Sequence, residues 1–164
     1  MAGRMICVMG IFVADLAFKT PRLPAWGETV LGTDFRVGPG GKGSNQAVAA
    51  ARAGGSVAFI TKLGEDTFGR MARELYAAEG IDATHVSVTD RQGTGEAAIL
   101  VDDKGENAIV VTAGAAEALT TADIAKAEAL ISGAALFMTQ LELQIGRAPS
   151  DSSHSGESRM PSSA

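Results

Sequence analysis

The chain has 164 residues, of which 46% are hydrophobic and 20% are charged, enough for one apolar core of ordinary size. Its net charge of −5, with lysines and arginines scattered singly, excludes the basic surface that nucleic acid binding needs. One cysteine, Cys7, excludes a disulfide framework and fits a reducing cytoplasm, and no apolar run reaches the roughly 20 residues of a membrane span.

Strands and helices are predicted to alternate along the first half of the chain. Short apolar runs predict buried strands, and an alanine-rich segment closed by Gly54 and Gly55 predicts a helix. Asp66 is predicted to cap a second helix that ends at Gly80. The predicted elements are, in order, a strand over 5–9, a strand over 29–37, a helix over 44–53, a strand over 57–61 and the helix after Asp66.

The second half continues the pattern with a strand over 84–88, a hairpin of strands over 96–101 and 108–112, and a buried strand over 135–139. Between the hairpin and the last strand, Thr120 or Thr121 caps a helix that Gly133 ends. Alternating strands and helices predict a parallel α/β sheet. Segments 29–37 and 96–112 break that alternation, so we expect them to form a small separate sheet that projects from it.

Residues 38–46 read GPGGKGSNQ, a glycine-rich loop that leads into the alanine-rich helix. The loop is not a phosphate-binding P-loop, because Gly43 follows Lys42 where serine or threonine is required. It matches G-x-G-x-x-G, but that fingerprint should follow the first strand directly, which disfavours a nicotinamide-dependent enzyme. A tight turn that only lets the helix pack closely on the sheet is an alternative reading.

The polar groups around this loop suit a polyhydroxyl ligand. Lys42, Asn45 and Gln46 crowd the start of the helix, and Asp15 should lie just past the carboxyl end of the first strand, where open α/β sheets bind ligands. A carboxylate, an amide and an ammonium together both donate and accept hydrogen bonds, as sugar hydroxyls require. The loop therefore favours a sugar site.

Several motifs in order resemble the ribokinase (PfkB-type) carbohydrate kinases. They are GETVLG, GPGGKGSNQAVAAARAGG, the G-x-D-x-x-G segment GEDTFG, GTGEAAILVDDKGENAIVV, TAGA and FMTQLE, which together span roughly residues 5–142. The resemblance implies a ribokinase-like, Rossmann-type layered sheet with a small projecting β lid, here ending after the N-terminal half of that fold. It also implies an ATP-dependent sugar kinase that transfers a phosphoryl group to a sugar hydroxyl.

The resemblance implies roles for individual residues. Asp15 binds sugar hydroxyls, the loop residues Gly40, Gly41, Lys42 and Asn45 close over the sugar, and Glu142 completes the substrate-binding set. ATP and Mg²⁺ are the implied cofactors, with a monovalent cation as a further candidate, and the ATP site lies mostly in the half of the fold that does not match. The lid strands, about 15–38 and 95–112, shield the reacting hydroxyl from water and are the candidate surface for a homodimer.

Two features depart from the family. Ribokinases carry G-S-x-N-x-D at the first strand, whereas Val13 replaces the asparagine here, so the sugar is a pentose or hexose left unnamed. The G-A-G-D motif, whose Asp is the general base of the family and whose glycines form an anion hole, occurs nowhere in the sequence. No catalytic or metal-binding residue is therefore assigned, and we expect this chain alone to be inactive.

Domain organisation is predicted as one substrate-binding part over residues 4–143 and a tail over 144–164. The tail is rich in serine and poor in large apolar residues, so we expect it to be disordered and hypothesise a frame-shifted or misassembled end. Two functional hypotheses stay open, the sugar-binding half of a cytoplasmic sugar kinase and a non-catalytic module that binds a sugar or nucleoside.

Overall fold

A computed structural model of the chain describes residues 5–143. The disorder predicted for residues 144–164 lies outside the described residues. The strands described are β1 (Ile6–Met9), β2 (Val13–Lys19), β3 (Asp34–Gly40), β4 (Val57–Gly64), β5 (Val86–Thr89), β6 (Thr94–Val101), β7 (Asn107–Gly114) and β8 (Leu136–Thr139). The helices described are α1 (Lys42–Arg52), α2 (Thr67–Ala78), α3 (Thr121–Lys126) and α4 (Glu128–Gly133), and a 3₁₀ turn covers Ala115–Ala118.

The main sheet is parallel and has the strand order β5-β4-β1-β8. Both faces of this sheet are covered, which explains why its central strands are apolar at almost every position. On one face, Val8 and Phe59 pack against α1 and α2, and on the other, Cys7 and Ile60 pack against α3 and α4. The carboxyl end of β1, where ligands bind in sheets of this kind, therefore lies between two packed layers.

A second sheet has the strand order β3-β2-β6-β7 and is called the second sheet below. Its strand β2 pairs in parallel with β6, while β3 and β7 pair antiparallel on the two sides. Residues 10–12 carry the chain directly from β1 of the main sheet into β2. The separate sheet expected from the sequence is thus present, and its first strand begins at the carboxyl end of β1.

Three details of the predicted secondary structure were wrong. Residues 29–33 belong to a loop, because pairing of β3 with β2 begins only at Asp34. Earlier in the same loop, Arg22 forms an ion pair with Glu28. Strand β2 itself was not predicted from the pattern. The helix expected after Thr120 is divided at Ala127, a fully buried residue whose backbone (φ −95°, ψ 5°) separates α3 from α4.

Two helix caps agree with the sequence. Asp66 accepts a hydrogen bond from the Gly69 backbone at 2.7 Å, and Thr120 forms a reciprocal capping box with Asp123. Between residues 5 and 143, no helix has both the length and the hydrophobicity needed to cross a membrane.

Candidate functional site

The start of α1 packs directly on the carboxyl end of β1. A Cβ atom added at Gly10 would lie 2.8 Å from the Cα of Gly43, so neither position accommodates a side chain without a shift of the backbone. The Ser44 amide donates to the carbonyl of Ile11 at 3.3 Å and completes the junction. These contacts place the first turn of α1 against the crossing between the two sheets.

Gly40 and Gly41 have separate physical reasons to be glycine. Gly41 is the N-cap of α1 with φ +90° and ψ 126°, a conformation that only glycine adopts readily. A Cβ at Gly40 would overlap the carboxylate of Asp15. The first glycine therefore makes room for an acidic side chain, and the second lets the chain turn into the helix.

Asp15 lies in the middle of β2, opposite Gly38 of β3 and Ala97 of β6. Its side chain is partly buried, and burial raises the pKa of its carboxyl group. No residue between 5 and 143 donates a hydrogen bond to this carboxylate. A carboxylate that is partly removed from water and has no protein donor gains from binding a ligand that supplies one.

The segment after β8 reaches the other side of the loop. Glu142 forms an ion pair with Lys42 of α1 through Oε1, and Gln140 donates to Gln46. The second carboxylate oxygen of Glu142, Oε2, is buried and has no partner within the described part of the chain. Leu143 then packs against the apolar cluster to which Val13 belongs, which connects this segment to the start of the second sheet.

The predicted site residues thus fall into two groups around one loop. Asp15 contacts Gly40 on the β2 side, while Lys42 and Glu142 pair on the β8 side, with Gly41 between them. Asn45 lies one turn into α1 with its side chain exposed, and its backbone amide bonds the Gly41 carbonyl at 2.8 Å. The roles assigned to all six residues stay predictions.

Val13 lies on the same face of β2 as Asp15, two residues before it. Its side chain is 4% exposed and belongs to an apolar cluster with Ile11, Ala97 and Ala116. The position that carries an amide in ribokinases therefore contributes no hydrogen bond here. The replacement of the family's asparagine by Val13 therefore makes this side of the candidate site apolar.

Ser44 and Tyr76 support the site in a way that the sequence did not suggest. The Tyr76 hydroxyl, on α2, donates to Ser44 Oγ on α1 at 3.1 Å, and both side chains are buried. Burial raises the pKa of Tyr76 well above its ordinary value, so the phenol stays protonated and able to donate. The two residues are 32 positions apart, and no local pattern predicts their contact.

Replacing Tyr76 with phenylalanine is expected to lower the free energy of unfolding by about 1–2 kcal/mol, because the buried Ser44 hydroxyl loses its partner. Urea titration of the variant, of Ser44→Ala and of the double variant measures the effect. The double variant should be more stable than the sum of the single losses predicts, because removing both groups leaves no unpaired hydroxyl. Strictly additive losses would show that the hydrogen bond contributes nothing.

The sequence matches the family model of pfkB family carbohydrate kinases over residues 4–155. It is 39% identical to the ribokinase of Haemophilus influenzae over 139 residues, which are 85% of this chain and 45% of that protein. The ribokinase of Mus musculus is 41% identical over 138 residues, which cover 84% of this chain and 43% of the mouse protein.

Among solved structures, Arabidopsis thaliana ribokinase complexed with ribose and ATP superposes with a TM-score of 0.74 at 27% identity. The superposition covers 87% of this chain and 46% of the plant protein. The ribokinase-like α/β fold and the family resemblance are thereby confirmed. The chain spans less than half the length of these relatives.

Proposed function

Since this chain belongs to the pfkB family of carbohydrate kinases, we propose that it forms the sugar-binding half of an ATP-dependent sugar kinase. The observation that carries this proposal is the Asp15 carboxylate, which is partly buried, has no hydrogen-bond donor among residues 5–143 and lies directly beside Gly40 of the glycine loop. A sugar hydroxyl supplies the missing donor, and the resemblance assigns sugar binding to the same residue.

Three groups of this chain orient the sugar. The Asp15 carboxylate accepts hydrogen bonds from hydroxyls on the β2 side. Glu142 Oε2, which is buried and has no partner within the part of the chain that the structure describes, accepts another on the β8 side. The N-terminus of α1 has no side-chain cap. Its positive end and the N–H groups of its first two residues therefore face the ligand, whereas the Ser44 amide already donates to the Ile11 carbonyl. Held between these groups, a sugar presents one hydroxyl toward the phosphoryl donor.

The second sheet serves as the lid of the site. Asp15 itself lies on this sheet, so a movement that brings the sheet toward α1 also brings the carboxylate onto the sugar. A covered site excludes water, which would otherwise compete with the sugar hydroxyl for the phosphoryl group of ATP.

The sugar is a pentose or a hexose, and Val13 reduces the hydrogen bonding available to it. Because that wall is apolar, a sugar that lacks one hydroxyl loses less at this position than it would beside an amide. D-ribose, 2-deoxy-D-ribose and D-fructose are therefore the probes to compare. The plant relative is complexed with ribose and ATP, which makes ribose the first to test.

ATP and Mg²⁺ are the cofactors of this proposal, with a monovalent cation as a third candidate. Residues 5–143 bring no group of three or more His, Cys, Asp or Glu side chains together that could hold a metal ion. No step is therefore assigned to a metal here. The protein acts in the cytoplasm, where ATP is available and a free thiol such as that of Cys7 stays reduced.

A second copy of the chain covers the second sheet in a homodimer. Large apolar side chains are exposed on this sheet, among them Phe18, Phe35 and Val110, the last of which is 71% exposed. The rings of Phe18 and Phe35 lie 4.6 Å apart and form one continuous apolar patch. Sedimentation at increasing concentration measures the oligomeric state directly.

A non-catalytic module that binds a sugar or nucleoside is the second candidate. A protein that only binds sugar needs Asp15, the loop and the lid, all of which lie within these 164 residues, and it needs no general base. Titration with ribose in the presence and absence of ATP separates the two candidates. A kinase half shows coupled binding once the rest of the fold is supplied, whereas a binding module does not.

Replacing Asp15 with asparagine, or Asn45 with alanine, is expected to weaken sugar binding about 5- to 150-fold in each case. The estimate follows from the roughly 1–3 kcal/mol that a sugar hydroxyl costs when it is buried in the closed site and left without its partner. Isothermal titration with the three sugars makes the measurement. Asp90→Asn and Asn107→Ala remove the same groups from exposed positions elsewhere and should bind normally. Equal affinities in all four variants would assign the loop to packing alone.

A further inference from the structure

The carboxylate of Asp66 bonds two separate parts of the molecule at once. Its Oδ1 caps α2 by accepting from the Gly69 amide at 2.7 Å and also accepts from the Thr94 hydroxyl at 2.8 Å. Its Oδ2 accepts from the Thr94 amide at 2.6 Å. The Thr94 hydroxyl in turn accepts from the Gly64 amide at 2.9 Å, at the last residue of β4. A helix cap and the end of a main-sheet strand are thereby joined to the first residue of β6.

This cluster is closely packed. A Cβ atom at Gly64 would lie 2.5 Å from both the Thr94 nitrogen and Asp66 Oδ2, and one at Gly69 would overlap the Gly64 carbonyl oxygen. Thr94 is 3% exposed. Burial alone would raise the pKa of Asp66, but the hydrogen bonds from Thr94 and Gly69 outweigh it, and the pKa lies below its ordinary value. The glycines of the G-x-D-x-x-G segment thus leave the space that Thr94 and Asp66 occupy.

The same cluster stands at the base of the second sheet. Thr94 opens β6, whose next residues pair with β2, so that Ala97 lies opposite Asp15. Strand β7 returns to this point, since Gly114 pairs with Thr94 and the Ala115 amide donates to the Gly93 carbonyl at 2.7 Å. Three residues of strand, about 10 Å, separate the Asp66 cluster from the residue that faces Asp15.

We propose that Asp66 is a positioning residue that fixes the base of the second sheet on the main sheet, and through β6 sets where the Asp15 carboxylate stands relative to the glycine loop. The part of this proposal that concerns the sheet stands on the hydrogen bonds and packing alone. The part that concerns the ligand rests on the function proposed above.

The experiment compares hydrogen exchange and ribose binding in three variants of the full chain. Asp66→Asn keeps a side-chain oxygen that can cap α2. Its NH₂ group replaces the oxygen that accepts from the Thr94 backbone amide, and because both groups are donors, that hydrogen bond is lost. Thr94→Val keeps Asp66 and its cap and removes only the hydroxyl, while Thr94→Ser restores that hydroxyl. The exchange readout is the ratio of the rate for second-sheet amides in β6 and β7 to the rate for main-sheet amides in β1 and β4.

In Asp66→Asn and Thr94→Val this ratio should rise about tenfold, because the sheet opens locally without global unfolding, and Thr94→Ser should stay within about twofold of the unchanged chain. Ribose affinity should fall about tenfold in the first two variants only. The control is Asp123→Asn, which disrupts the Lys62 ion pair on the opposite face of the main sheet and should leave the ratio unchanged.

A purely structural cap would speed exchange equally in both sheets, as any global loss of stability does, and that result would overturn the proposal. An unchanged ratio of second-sheet to main-sheet exchange in Thr94→Val, together with unchanged ribose binding, would also overturn it. If the unchanged chain binds none of ribose, 2-deoxyribose and fructose, the proposed sugar function fails. The exchange ratios still decide whether Asp66 holds the sheet.

Discussion

Alanine at position 41 is expected to lower the free energy of unfolding by about 3 kcal/mol or more and to abolish sugar binding. Gly41 has φ +90°, and an added Cβ would lie 2.5 Å from the Ile11 carbonyl oxygen and 3.0 Å from the Phe12 Cα. Both neighbours are backbone atoms, which cannot rotate away as a side chain can. The α1 start must therefore move, and the loop moves with it.

Gly38 supplies the matched control within the same GPGG segment. An added Cβ at Gly38 meets nothing within 4 Å, and its φ is not positive, so Gly38→Ala should change stability by no more than about 0.5 kcal/mol. Urea unfolding of both variants, followed by titration with ribose, measures the two effects. A Gly41→Ala chain that unfolds at the same urea concentration as Gly38→Ala would show that the loop tolerates a side chain.

The sequence predicted those parts of the fold that local patterns determine. The buried strands β1, β4 and β8 are short apolar runs, and Asp66 and Thr120 cap helices as their residue types suggest. Strand β2 was not predicted from the residue pattern, because the apolar run of β1 continues into it and only Gly10 marks the change of sheet. The break between α3 and α4 at Ala127 could not be predicted, because no glycine or proline lies at that position.

The sequence likewise predicted the residues of the candidate site that belong to motifs, but not the contacts between distant residues that support them. Glycine at 40 and 41 and acidic residues at 15 and 142 carry the family pattern, so motif order brought them together before any geometry was known. The contacts of Tyr76 with Ser44 and of Thr94 with Asp66 join residues 32 and 28 positions apart. Such contacts depend on how helices and sheets pack, which neither periodicity nor motif spacing encodes.

The largest effect expected concerns catalysis. A polypeptide of these 164 residues should show no measurable phosphoryl transfer from ATP to ribose, 2-deoxyribose or fructose. The family resemblance assigns the general base and the anion hole to a G-A-G-D motif that the sequence does not contain. A general base contributes about 10²–10⁴-fold and an anion hole about 10²–10³-fold, so losing both costs about 10⁴-fold or more.

The edge of the main sheet at β8 indicates how activity could be restored. Leu136 and Phe137 of this strand are 50% and 38% exposed and lie on opposite faces, beside Ile6 and Cys7 of β1. Among residues 5–143, β8 is the outermost strand on this side of the main sheet. A strand that pairs with β8 would cover both. We therefore expect the C-terminal half of Haemophilus influenzae ribokinase, added in trans, to bind at this edge and to produce sugar-dependent ADP release that saturates with the added half.

Two controls make that result interpretable. The same mixture prepared with the Asp15→Asn chain should lose most of its turnover, because the sugar is then held by one fewer acceptor, whereas a contaminating kinase would be unaffected. Leu136→Lys should prevent complementation without touching the predicted sugar-binding residues, since it places a charge where the added strand must pack. Turnover from the purified chain alone, retained at constant specific activity through further purification, would contradict the prediction. It would place a general base within these 164 residues at a position other than a G-A-G-D motif.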